Sequence, residues 1–76
     1  MSYVNDTHPF QRSRLRQARL DARVSEERVA DAAGVTARTI KNWEDGTGEP
    51  SATQLKAISV LTGKPLDFFY KPPRAA

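Results

Sequence analysis

Four residues in one six-residue stretch, Ala37, Arg38, Lys41 and Asn42, carry the most specific chemistry in the sequence. On a helix each residue turns by about 100°. With Ala37 at zero, Ala37, Lys41, Asp45, Arg38 and Asn42 fall at about 0°, 40°, 80°, 100° and 140°, and Ile40 and Trp43 at about 300° and 240°. One face is thus polar and the opposite face apolar. The polar face offers paired hydrogen-bonding groups instead of bond-making ones. A guanidinium fits guanine O6 and N7, a carboxamide fits adenine, and a small Ala admits close approach or meets a thymine methyl. Lys41 suits a guanine or a phosphate. Catalytic chemistry has little support elsewhere. The chain has no Cys and one His, which leaves no thiol nucleophile, thiolate metal site or multi-histidine centre. No acid is paired with a base, no nucleophile has an orienting partner, and no glycine-rich phosphate loop is present. The expectation is a chain that is not an enzyme and takes no cofactor, metal or small-molecule ligand. His8 reads as a surface or capping residue.

Seventy-six residues make one small domain. With 38% hydrophobic and 28% charged residues the composition is globular, not disordered. The apolar runs are too short to span a membrane. The N-terminal MSYVNDTHPF has neither a basic n-region nor an apolar h-region, so no secretory signal is expected and the cytosol is the default location. Net charge is +3, but its distribution is more informative. Residues 1–23 and 51–76 each sum to +3, and residues 24–50 sum to −3. Any binding to a polyanion must therefore be local, not a general coat of charge.

The four residues need a short, well-capped helix beneath them. Thr36 can cap that helix, and the loop Asp45-Gly46-Thr47-Gly48-Glu49-Pro50 ends it. Before it, Ser25 caps a helix over about 26–33 with Glu26 and Glu27 in the first turn, where the dipole favours acids. Val29, Ala30 and Ala33 form its buried face and Gly34 stops it. Arg28 stands where a capping box would need Glu or Gln. Upstream, Leu15, Ala18 and Ala22 share one face of a first helix placed at 8–22, capped by Asp6 or Thr7 with Pro9 in its first turn. Downstream, Ser51 and Gln54 form a capping box. Leu55, Ile58 and Thr62 line the next helix, with Leu61 beside them and Gly63 at its end. Lys64-Pro65 is a turn, and Leu66 to Tyr70 a last helical turn or two. No stretch alternates with period two. Phe10, Trp43, Leu66 and one or two of Phe68, Phe69 and Tyr70 are expected in the core, and a leftover exposed ring would suit a dimer contact. Residues 1–7 read as a flexible arm, 8–70 as the domain and 71–76 as a disordered tail.

Two capped helices joined by a glycine turn over residues 25–46 make a helix-turn-helix unit. The chain resembles the Cro/repressor-type (Xre) helix-turn-helix family. The resemblance rests on Arg19, Ser25, Val29-Ala30, Gly34-Val35, Ile40, Trp43-Glu44-Asp45-Gly46, Pro50-Ser51 and Thr62-Gly63-Lys64-Pro65-Leu66-Asp67-Phe68-Phe69. It implies an all-α, lambda-repressor-like bundle of four to five short helices, with Arg19 bonded to Glu44 as a structural pair. It also implies that Ala37, Arg38, Lys41 and Asn42 read bases. Phosphate contacts are expected from Ser25, Thr36, Thr39, Arg12, Arg14 and Arg23, with Arg16 in the same basic stretch. The sequence departs from the family at Glu26, where many members have Gln, and at Asp45, where many have Asn. Thr47, Gly48 and Glu49 replace the usual basic residue after the glycine, which implies weaker non-specific DNA affinity.

The leading reading is a sequence-specific regulator that binds double-stranded DNA, a repressor of the minimal phage Cro or immunity-repressor kind. It would act by occupying an operator as a homodimer, or as a monomer that pairs only on DNA. An antitoxin or a restriction-system controller protein is a close neighbour of that reading. Glu26, Asp45 and Glu49 motivate the alternative, a protein-binding adaptor with the same fold.

Overall fold

The structure, a computed structural model, describes residues 10–70. Its elements are α1 (Arg12–Ala22), α2 (Glu26–Ala33), α3 (Ala37–Asp45), α4 (Ala52–Thr62) and a final 3-10 turn, Leu66–Tyr70. Among the described residues there is no strand. An all-α bundle of four helices and a closing turn is the expected architecture. The arm, the tail, His8 and the cap at Asp6 or Thr7 with Pro9 lie outside the described residues.

Three of the helices start where a hydroxyl accepts an amide that the helix leaves unpaired. Ser25 Oγ accepts from the Arg28 N–H at 3.0 Å and Thr36 Oγ1 from the Thr39 N–H at 3.2 Å. At α4 the bonding is reciprocal. Ser51 Oγ accepts from the Gln54 N–H at 3.2 Å, and Gln54 Oε1 accepts from the Ser51 N–H at 2.8 Å. Ser51→Ala removes the hydroxyl that accepts from the Gln54 N–H, leaves the bond from its own N–H to Gln54 Oε1, and is expected to cost about 1 kcal/mol. A thermal melt followed by circular dichroism should then show a midpoint lower by about 4–8 °C. An unchanged midpoint would mean that water replaces the cap without cost.

The start of α1 is a correction. The helix begins at Arg12, not at 8, and its N-cap Gln11 supplies no side-chain hydrogen bond. Gln11 is extended, with φ −104° and ψ 107°, and its N–H donates to the Phe69 carbonyl at 2.8 Å. A tertiary bond to the far end of the domain therefore sets the first turn. At its other end α1 closes on Arg23, which adopts a left-handed backbone (φ 59°) without being glycine.

The core is built from Leu15 and Ala18 of α1, Val29 and Ala30 of α2, Ile40 and Trp43 of α3, Leu55 and Ile58 of α4, and Phe69. α2 packs mainly against α3 and α4, while α1 lies across α3, α4 and the final turn. Phe10, Val24, Ala33, Val35, Leu61 and Phe68 pack around this centre. Leu66 is the second correction, because it is 43% exposed. A three-residue period would put Leu66 and Phe69 on the same side of the turn, but Leu66 stands at its outer first position, just after the Lys64-Pro65 turn, and only Phe69 is fully buried.

Candidate nucleic-acid interface

α2 and α3 are joined by a tight turn at Gly34, which has φ +75°. A Cβ at Gly34 would meet no neighbour within 4 Å, so its backbone conformation, not crowding, is what favours glycine there. The Val35 N–H donates to the Ala30 carbonyl at 3.0 Å, locking the turn as a helix C-cap does. This sets the angle at which α3 leaves α2.

On α3 the apolar side read from the sequence is buried, and the polar side is exposed only in part. Ile40 and Trp43 are buried; Arg38, Lys41 and Asp45 are exposed; Ala37, Thr39 and Asn42 are half-buried. Ala37, Arg38, Lys41 and Asn42 thus lie together on one outward helix face. Lys41 Nζ sits 3.5 Å from Asp45 Oδ2. Both side chains are more than half exposed, so this pair is weak and Lys41 can leave it for another anion. Thr36 and Thr39 hydroxyls lie 3.1 Å apart at the N-terminus of α3, where the first-turn amides and the helix dipole favour an anion. Ser25 occupies the equivalent place on α2.

The arginines of α1 are not brought together. Arg12 Nη1 donates to the Asp45 carbonyl at 2.7 Å. Arg14 stacks over the Phe68 ring, 4.5 Å from its centroid, beside Lys64 at 5.0 Å. Lys64 Nζ also pairs with Asp21 Oδ2 at 3.1 Å. Arg16 and Arg23 are exposed. The stacking of Arg14 on Phe68, and the reach of Arg12 to α3, had no signal in the sequence, because each joins residues more than thirty positions apart.

Arg19 and Glu44 form a forked pair. Nε donates to Oε2 at 2.8 Å and Nη2 to Oε1 at 3.3 Å, and Nη1 reaches the Val24 carbonyl at 3.4 Å. The Glu44 side chain is 4% exposed and that of Arg19 14%. The hydrogen bond that Arg19 donates to Glu44 raises the Arg19 pKa above its ordinary value against the opposing effect of burial, and the charges of Glu44 and Glu26 add to the rise. The guanidinium therefore stays charged across the whole accessible pH range. The pair fastens the last turn of α3 to α1 and leaves the outward face free.

Among the described residues no cluster of acids and histidines could hold a metal ion, and no helix is long and apolar enough to cross a membrane. A helix-turn-helix family profile matches residues 15–69. Two curated relatives, from Sinorhizobium medicae strain WSM419 and Rhizobium meliloti strain 1021, are each 33% identical over 66 residues, or 87% of this chain. Both are described as uncharacterized HTH-type transcriptional regulators. The chain covers 46% of each, so it spans about half the length of the relatives it matches. The profile covers the core from Leu15 to Phe69 and both helices of the two-helix unit, and the chain belongs to the helix-turn-helix family.

Proposed function

We propose that this domain binds double-stranded DNA in a sequence-specific manner and regulates transcription, acting as a repressor by occupying an operator. The observation that carries the reading is the face of α3: Arg38, Lys41, Asn42 and Ala37 project outward together from a two-helix unit whose other side is core. A helix of this kind fits the major groove, with Arg38 on a guanine, Asn42 on an adenine, Ala37 near a thymine methyl and Lys41 on a guanine or phosphate. The amides and hydroxyls at Ser25, Thr36 and Thr39 would hold phosphates and fix register, with Arg23 and Arg14 adding charge. The acids that motivate a protein-binding alternative are partly answered within the fold. Asp45 faces Lys41, and Glu26 lies close enough to contribute to the raised Arg19 pKa. A homodimer on DNA would place half-sites about 34–36 Å apart.

The test is selection from a random duplex library, followed by titration of the best site at several salt concentrations. A shared motif is expected, with affinity falling steeply as salt rises. Arg38→Ala should then cost about 1–3 kcal/mol on that site and relax the choice at one base pair. No enriched motif, or a variant that binds with unchanged affinity and preference, would sink the assignment of α3 as the reading helix.

A further inference from the structure

Arg12 is misplaced as a local helix residue. It stands in the first turn of α1, where a cation opposes the helix dipole, and no acid is present there to offset it. Its guanidinium instead crosses to the opposite pole of another helix. Nη1 donates to the carbonyl of Asp45, the last residue of α3, at 2.7 Å, where a cation is favoured. Gly46 follows with φ +100°, and a Cβ there would collide with Arg12 Nη1. The glycine therefore both turns the chain and leaves room for the guanidinium.

We propose that Arg12 is a positioning residue for the C-terminal half of the reading helix. It acts by capping α3 from across the domain, not by holding a phosphate. This rests on the reading of the α3 face given above. The last turn of α3 is closed by the Gly46 N–H on the Trp43 carbonyl at 3.2 Å and the Thr47 N–H on the Asn42 carbonyl at 2.7 Å. Arg19 fixes the Glu44 side chain, and Arg12 fixes the backbone one residue further on. Asn42 sits in this last turn and Arg38 in the first. Loss of the cap frays the end that carries Asn42 and leaves the end that carries Arg38 anchored by the Thr36 cap. Because Arg12 is exposed and Ala has higher helix propensity, Arg12→Ala keeps the domain folded.

Two measurements on wild type and Arg12→Ala decide the matter. The first is amide hydrogen exchange on the free protein. Gly46 and Thr47 should exchange about five- to ten-fold faster, as loss of one solvent-exposed hydrogen bond implies, while the amides of Leu15 and Ile58 are unchanged. The second is binding to the selected duplex across salt. Discrimination at the base pair facing Asn42 should fall about three- to ten-fold, with that at the Arg38 pair intact and the salt slope unaltered. Unchanged exchange at Gly46 and Thr47 overturns the proposal whether or not DNA binds. A uniform loss of affinity with base preference intact, and a slope reduced by about 0.9, overturns it in favour of a phosphate ligand. If wild type selects no duplex, the DNA reading fails and the base-positioning role fails with it. The exchange data then report on the cap alone, so the two failures are told apart.

Discussion

Arg19→Met is expected to remove most of the domain's stability. The substitution strands the Glu44 carboxylate, whose side chain is 4% exposed and accepts two of its hydrogen bonds from Arg19. Breaking one side of a fully buried pair costs about 3–5 kcal/mol, and this part-buried fork belongs at the lower end of that range. A single core of this size supplies only about 3–5 kcal/mol in total, so little stability is left. Urea unfolding at neutral pH, followed by far-ultraviolet circular dichroism, measures the loss. The double variant Arg19→Met, Glu44→Leu should recover most of the loss, since apolar replacement of both partners is often neutral or better. A shift in the single variant no larger than that of an ordinary surface change, about 0.5 kcal/mol, would show that water reaches Glu44 and that the fork contributes little.

Phe69→Ala should be comparably severe. Phe69 is fully buried, and removing a buried phenyl costs about 3–5 kcal/mol through lost transfer energy and the cavity left behind. It also loses an edge-to-face contact with Phe68, whose ring centroid is 5.5 Å away at an interplanar angle of 88°, worth about 0.5–1.5 kcal/mol. These two figures overlap, because truncation data already contain neighbour contacts. The expected fall in melting midpoint is about 15 °C or more. Leu66→Ala, three residues earlier at an exposed position of the same turn, should move it by only a few degrees. Similar shifts for the two variants would mean that the final turn does not close the core.

What was legible in the sequence was local. Ser25, Thr36 and Ser51 announce helix starts because a cap is a bond between residues two or three apart. Gly34, Gly46 and Gly63 announce ends because each takes a left-handed backbone. The buried side of α3 was legible because nine residues are enough to show a helical period at Ile40 and Trp43. What was not legible depends on long reach. α1 starts at Arg12 because Gln11 bonds Phe69, and no local signal marks that. Leu66 and Phe69 are equally apolar and, three residues apart, would share a face of a 3-10 helix, so no period says that Phe69 alone is buried. Arg12, Arg14 and Arg16 read alike as basic residues of one helix. The fold sends the first to α3 and the second to Phe68, and leaves the third exposed. The pairing of Arg19 with Glu44, twenty-five positions apart, followed from the family resemblance and not from any spacing rule.

The bond between Gln11 and Phe69 also has a mechanical consequence. It joins residues at the two ends of the described chain at 2.8 Å, so tension applied through both ends bears first on that one junction. Pulling there would peel α1 and the final turn away in sequence, as a zip opens, and would not shear the domain all at once. The packed trio of α2, α3 and α4 would be loaded last, so under force α3 would be among the parts of the molecule to keep their shape longest.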